Sequence, residues 1–220
     1  MAILEIENVH KHYLAQGQRV AALAGVSLTM QAGSFVALVG RSGCGKSTLL
    51  NLAGAMDFAS SGVVRIDGAE TSRLDDAGLT ALRRSKVGFI FQNFQLLPTL
   101  SVAENVELPL LLAGAERARE RSLETLEWVE LGGYGQRMPH QLSGGQMQRV
   151  AIARALVHKP RLLLADEPIG NLDTATGNIV LDLMRRAADE FGTAILMATH
   201  SADSTRVTDR RIEMRDGLIV

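Results

Sequence analysis

Residues Gly40-Arg41-Ser42-Gly43-Cys44-Gly45-Lys46-Ser47 fit the pattern G-x-x-x-x-G-K-S, and their flanks restrict the fold more than any other stretch of the chain. Ser34-Phe35-Val36-Ala37-Leu38-Val39 in front of them is a short apolar run that reads as a buried strand. Leu49 to Ala55 behind them reads as a Leu-rich helix. A buried strand that feeds a glycine loop and then a helix is a building unit of an α/β sheet. The glycines let backbone N–H groups converge on phosphate oxygens, and the helix N-terminus adds a favourable dipole. In such a loop Lys46 contacts the β- and γ-phosphates and the Ser47 hydroxyl ligates Mg²⁺.

The rest of the chain repeats this grammar. Ile3 to Val9 alternates as a half-buried strand, and Val63-Val64-Arg65-Ile66 before Asp67-Gly68 reads as a strand with a turn. Val87 to Phe91 is a strand ending at Gln92. From there to Leu131 the character changes: Leu96-Leu97-Pro98 breaks the chain, and Glu116 to Leu131 is a charged amphipathic stretch carrying Leu123, Leu126 and Val129 on one face. Beyond Gly132-Gly133-Tyr134-Gly135 comes a second α/β block, with helices over Gln146 to His158 and Ile179 to Glu190. Strands are expected at Leu162 to Ala165 and Ala194 to Ala198, and a terminal hairpin is centred on Asp216-Gly217. The best reading is one domain with an inserted helical lobe.

Three further features carry chemistry. The apolar strand at Leu162 to Ala165 ends in Asp166-Glu167, and buried strands seldom end in adjacent carboxylates unless something positive is nearby. Asp166 is expected to hold Mg²⁺ and Glu167 to polarise an attacking water. Gln92 and His200 end predicted strands, where α/β sheets bind ligands: Gln92 to reach Mg²⁺ and the water, His200 to bridge to the γ-phosphate. Taken singly, each is more often an ordinary polar residue at a sheet edge. Finally, Leu142-Ser143-Gly144-Gly145-Gln146 opens a second helix and is a second phosphate-binding device. Two such devices on one small domain suggest two copies closing face to face over shared ATP.

Composition narrows what such a machine can act on. The chain has 220 residues and a formal net charge of -1, so a globally basic surface for nucleic acid is absent. A hydrophobic fraction of 46% with 4% aromatics fits an Ala/Leu/Val-rich α/β core. Cys44 is the one cysteine, which excludes an internal disulfide and points to a reducing compartment. The N-terminus lacks the basic region of a signal peptide, and Leu108-Pro109-Leu110-Leu111-Leu112-Ala113 is too short to span a bilayer. The expected location is cytoplasmic, with any membrane role supplied by a partner. Cys44 reads as a small buried residue where serine would serve, although its place beside Lys46 and a helix N-terminus favours thiolate.

The phosphate loop, Gln92, Leu142 to Gln146, Leu164 to Pro168, Gly170-Asn171-Leu172-Asp173 and His200 occur in the order found in ABC-transporter ATPase subunits, which this chain resembles over nearly its whole length. The resemblance implies a P-loop NTPase with a RecA-like core, an antiparallel β subdomain and an inserted α-helical subdomain. Core and β parts would occupy about 1–92 and 159–220, and the helical part about 93–158. It implies that Tyr13 stacks on adenine, and that Gly40, Ser42, Gly43, Cys44, Gly45, Lys46, Ser47 and Thr48 bind the phosphates. It also implies that Ser143, Gly144, Gly145 and Gln146 meet the γ-phosphate held by the other copy, and that Asp173 lies in a loop signalling between the two sites. Glu167 would be the general base, with His200, Gln92 and Lys46 beside it, and Ser47, Gln92 and Asp166 the Mg²⁺ ligands. The segment after Gln92 resembles the docking region for a membrane subunit, with Phe94, Leu96, Leu97 and Pro98 as candidate groove residues.

Gly88 to Gln92, Leu96 to Leu100 and Glu104 to Pro109 look like the LolD/MacB/YbbA/FtsE-like class that serves lipoprotein release and macrolide export. Ile169 replaces its usual threonine, Met147 stands where glutamine is frequent, and Asp57 to Gly62 lacks its common proline. A division-linked, FtsE-like role in the cell envelope is the alternative to transport. Soluble relatives acting in DNA repair or translation usually carry fused cassettes, coiled-coil inserts or zinc ligands, none of which is seen here.

Overall fold

Two sheets divide the apolar residues between them. The computed structural model describes residues 2–15, 17–201 and 203–220. Strands β1 (Ala2–Ala15), β2 (Gln18–Gln31), β4 (Ser61–Ile66) and β5 (Ala69–Glu70) form an antiparallel sheet in the order β2-β1-β4-β5. The second sheet has the order β10-β9-β3-β8-β7-β6, from β3 (Phe35–Val39), β6 (Val87–Ile90), β7 (Leu162–Asp166), β8 (Ala194–Thr199), β9 (Arg210–Arg215) and β10 (Leu218–Ile219). Its pairings are parallel except for the terminal hairpin of β9 and β10.

The parallel strands are apolar on both faces because both faces are covered. Phe35, Ala37, Val39, Leu163, Ala165, Ile195 and Met197 point into one core cluster, with residues of helices α3 (Val102–Leu112), α4 (Ala118–Trp128), α5 (Gly144–Leu156) and α6 (Thr174–Phe191). The alternate residues Val36, Leu38, Leu162, Leu164, Ala194, Leu196 and Ala198 point into the other, with helix α1 (Lys46–Ala53) and the inner face of the antiparallel sheet. Continuous apolar runs in the sequence are the signature of this double burial. In the antiparallel sheet one face is wet, so β2 alternates, with Val26, Leu28 and Met30 buried.

The structure differs from expectation in several elements. β1 runs past Val9 to Ala15, with register shifts against β2 at Ile6/Val9 and Val9/His10 and a left-handed Asn8 at φ 46°. Its alternation is therefore broken in the middle. β2, helix α2 (Asp76–Lys86) and α3 are elements that the periodicity argument passed over. α2 is capped by the Asp75 side chain, which accepts from the Gly78 N–H. α3 is opened by a capping box between Ser101 and Glu104. In α4, Leu126 and the following Val129 are buried, but Leu123 is 42% exposed and lies off the buried face that Ala118, Ser122 and Leu126 define. The terminal hairpin turns at Asp216-Gly217 as expected.

Candidate active site

The phosphate loop is built between β3 and α1 and is braced from two sides. Gly45, at φ 107°, lies so close to β2 that an added Cβ would stand 2.6 Å from the Ala22 carbonyl oxygen. At Gly40 a Cβ would stand 2.4 Å from the Met214 carbonyl oxygen of β9, and the Gly217 N–H donates to the Cys44 carbonyl at 3.0 Å. Only glycine fits at either position. Cys44 is buried, in line with the small-residue reading.

A cavity of about 610 Å³ opens where β3, β6, β7 and β8 end, lined by Ser42, Gly43, Gly45, Lys46, Ser47, Thr48, Gln92, Asp166, Glu167 and His200, with Ala22 at one side. Gly40 and Cys44 line an adjoining hollow, together with Ser42, Gly43, His200 and the β9–β10 turn. The sequence-predicted P-loop, acidic pair, Gln92 and His200 thus converge on one space, at the carboxyl edge where parallel sheets bind ligands.

Charge is set out unevenly there. The buried Lys46 Nζ donates to the carbonyls of Gly40 at 2.7 Å and Arg41 at 3.2 Å. Burial pushes the Asp166 carboxyl above its ordinary range; the Ser47 hydroxyl and Lys46 pull against this, and the neighbouring Glu167 adds to it. A desolvated carboxylate beside a second carboxylate and a serine hydroxyl is an environment that a hard cation relieves. Among the described residues no group of three or more His, Cys, Asp or Glu is arranged to hold a metal ion by itself.

Glu167 is held in the left-handed region at φ 48°, its N–H donating to the Ala198 carbonyl and its carbonyl accepting from Gly170. That turn carries the carboxylate from the end of β7 toward the end of β8. There His200 Nδ1 lies 3.0 Å from Glu167 Oε1, and the His200 backbone N–H donates to Oε2 at 3.4 Å. Gln92 lies in the loop beyond β6, its amide 3.5 Å from Asn171 Oδ1, while Asn171 donates to the Gln92 carbonyl and to Asn93 Oδ1. Asn171, which the sequence reading used only as part of a motif, is the clasp between these two loops.

Ser143 to Gln146 are elsewhere: none of them lines the cavity. Ser143 caps α5, its hydroxyl accepting from the Gln146 N–H at 3.3 Å, while Gln146 Oε1 accepts from the Ser143 N–H at 2.9 Å. Gly145 abuts α6, where an added Cβ would stand 2.1 Å from Thr176 Cγ2. Thr176 is in turn bound by Asp173, the α6 cap, whose Oδ1 accepts from its N–H and Oδ2 from its hydroxyl. The buried Gln148 of α5 donates to the Pro168 carbonyl at 2.5 Å, tying the same helix to the turn after Glu167. Glutamine inside an apolar helix face is the signal that marks it.

The region after Gln92 is pinned from α5 as well. Phe94 and Gln95 are both left-handed, at φ 57° and 49°, and their carbonyls accept from the Arg154 guanidinium at 2.9 and 2.6 Å. Leu96 packs against the core, Leu97 is 42% exposed, and Pro98 is exposed. A nearby groove of about 510 Å³ is lined by Met56, Phe89, Leu108, Pro109 and Leu112 with Arg83, Arg84 and Arg154. Phe94, Leu96, Leu97 and Pro98 do not line it; the apolar part supplied by the segment after Gln92 comes from Leu108, Pro109 and Leu112 of α3.

Residues 23–170 match the family model described as ABC transporter. The chain belongs to the ABC transporter ATP-binding family. As a member it is an ATP-binding, ATP-hydrolysing cassette. It is 42% identical to the lipoprotein-releasing system ATP-binding protein LolD of Shewanella frigidimarina, over 99% of this chain and 92% of that one. It is also 42% identical to the macrolide export ATP-binding/permease protein MacB of Rhodopirellula baltica, but spans only 32% of that longer protein. Among solved structures, the dimeric post-hydrolysis state of the cassette MJ0796 of Methanocaldococcus jannaschii, bound to ADP and Pi, superposes with a TM-score of 0.90. That pair is 43% identical and covers 98% of this chain and 96% of the other. No helix among the described residues is long and apolar enough to cross a membrane.

Proposed function

We propose that the cassette works as a pair, each copy offering its α5 N-terminus to the nucleotide on the other copy's P-loop, and that the pair drives a separate membrane subunit. The observation that carries this reading is the split geometry. Lys46, Ser47, Asp166, Glu167, Gln92 and His200 share a cavity that Ser143, Gly144, Gly145 and Gln146 do not line. The dimeric form of MJ0796 and the lipoprotein-release and macrolide-export names of LolD and MacB support the pair and its kind of work. The work proposed is export, lipoprotein release or transmission of force across the membrane. Residues 93–158 would act as the helical subdomain and 1–92 with 159–220 as the core and β subdomain. The pair would sit on the cytoplasmic face of the membrane, its partner docking at the groove beside α3 and the Phe94 to Pro98 loop.

ATP is the substrate, with its base on Tyr13 and its phosphates along Gly40 to Thr48. Ser47, Asp166 and Gln92 suit Mg²⁺, which when bound would neutralise phosphate charge. Lys46, now satisfied by loop carbonyls, would turn its donors to the β- and γ-phosphate oxygens. Glu167 takes the proton of the attacking water, and His200, bonded to both its oxygen atoms, fixes its orientation. Asp173, linked through Thr176 to Gly145, would connect one site with the other. Replacing Glu167→Gln tests the base: ATP binding should persist while turnover drops about 10²–10⁴-fold, the usual worth of a positioned base, and an ATP-bound dimer should accumulate. Hydrolysis at the parental rate would remove Glu167 from the role.

A further inference from the structure

Tyr13 does not hang free at the edge of the β sheet. Its hydroxyl donates to Asp57 Oδ2 at 2.9 Å, across 44 residues of sequence, with the Thr48 side chain close by. Asp57 is itself fixed. Its Oδ1 accepts from the nearly buried Lys11 at 2.6 Å and from the Phe58 N–H at 2.7 Å, and Lys11 also donates to the Phe58 carbonyl at 2.8 Å. Lys11 and Tyr13 project to the same side of β1, as alternate residues of a strand do. The Lys11 ammonium accordingly lies 4.9 Å from the centre of the Tyr13 ring, against one of its faces. Thr48 belongs to α1, the helix that begins at Lys46.

The ring is therefore tied by its hydroxyl to a clamped carboxylate beside the phosphate-binding helix, with one face against a cation. We propose that Asp57, held by Lys11, is a positioning residue for the nucleotide: it presets the Tyr13 ring at a fixed spacing from the P-loop, so that the face turned away from Lys11 receives a purine without further ordering. The proposal rests on Tyr13 being the base platform. Its physical content is a saving in side-chain ordering on binding, since an unclamped tyrosine must lose its rotamer freedom when the base arrives. The saving concerns the base alone, because phosphate contacts are made by the loop residues whether or not the ring is in place.

Two probes separate these terms: ATP, which needs platform and loop, and inorganic tripolyphosphate, which needs only the loop. Dissociation constants for both come from displacement of a fluorescent ATP analogue on the full chain. Asp57→Ala should weaken ATP about fivefold, the worth of one immobilised side chain, and leave tripolyphosphate unchanged. Asp57→Asn, which can still bond the Tyr13 hydroxyl, should recover most of the loss. Tyr13→Phe, which lacks the bonded hydroxyl, should show a comparable loss, and Tyr13→Ala at least the loss of Asp57→Ala. If Tyr13→Ala weakens ATP while Asp57→Ala does not, the platform stands and the clamp is wrong. If Tyr13→Ala binds ATP like the parent, the platform reading itself fails. Equal losses for ATP and tripolyphosphate in Asp57→Ala would make Asp57 a general structural residue and overturn the proposal. Should Asp57→Ala not fold, Lys11→Met and Tyr13→Phe decide, and parental ATP affinity in both overturns it.

Discussion

The P-loop and the start of α5 are both glycine-rich helix N-termini, yet the chain treats them differently. Around the first, side chains from four strand ends crowd into one cavity, and the buried Lys46 donates to carbonyls of its own loop. At the second, Ser143 and Gln146 cap each other, and Gly145 is wedged against Thr176. The first site is a set of groups aimed inward at a ligand. The second is a finished, rigid surface whose contacts run back to Asp173 and Pro168, the segment that leaves Glu167. The difference teaches that sensitivity to substitution has separate origins in the two places: charge and chemistry in one, packing in the other.

Lys46→Ala should break the first region most severely. Losing charge-assisted bonds to phosphate should cost ATP affinity roughly 10–100-fold, with the melting temperature nearly unchanged, as calorimetry and a binding titration would show together. Gly145→Ala should break the second. Its Cβ would overlap Thr176 Cγ2, and overpacking of this kind costs about 1–3 kcal/mol, which lowers the melting temperature by several degrees. ATP binding by the single chain should be spared. Thr176→Ser in the same chain removes the colliding methyl while keeping the hydroxyl for Asp173, so it should restore the melting temperature; an additive double-mutant cycle would contradict the wedge.

Arg154→Met tests the link between the regions. It removes the donors to the Phe94 and Gln95 carbonyls, and the loss of those bonds should cost about 1–2 kcal/mol. Faster amide exchange confined to the loop after Gln92 is the expected signature. His158 gives the smallest effect. It lies behind α5, its Nε2 3.1 Å from the Val87 carbonyl and its Nδ1 buried with no hydrogen-bond partner among the described residues. Because a carbonyl only accepts, Nε2 carries the proton in the neutral ring. Burial holds this imidazole below its usual 6.5. With the folded value depressed, the stabilisation is complete above pH 6.5 and is lost as pH falls through the folded value. Melting temperatures should decline on acidifying from that point, and His158→Gln should flatten the decline.

The elements that build the first region were legible because parallel strands buried on both faces appear as unbroken apolar runs at 35–39, 162–165 and 194–198. The Asp216-Gly217 turn was legible for its own local reason. β2 was not, since its outer end, Gln18 to Ala21, is exposed and only Val26, Leu28 and Met30 alternate cleanly. Yet it is β2, through Ala22, that explains why Gly45 must be glycine. α3 was obscured by Pro109 inside an apolar run. The Asp57 clamp was out of reach for another reason: Tyr13 and Asp57 meet across the sheet, and no spacing in the sequence announces such a pair.

The central claim, that each α5 N-terminus serves the other copy's P-loop, is most directly tested by mixing two inactive chains. One carries Lys46→Ala; the other carries Gly144→Asp, a position where an added Cβ meets only ordinary contacts with Leu172 and Phe94. In a mixed pair, one site combines both defects and the other combines an intact P-loop with an intact α5 start. ATP hydrolysis by the mixture should therefore rise well above that of either chain alone. A mixture no more active than its components would contradict the exchange and return the whole site to a single chain.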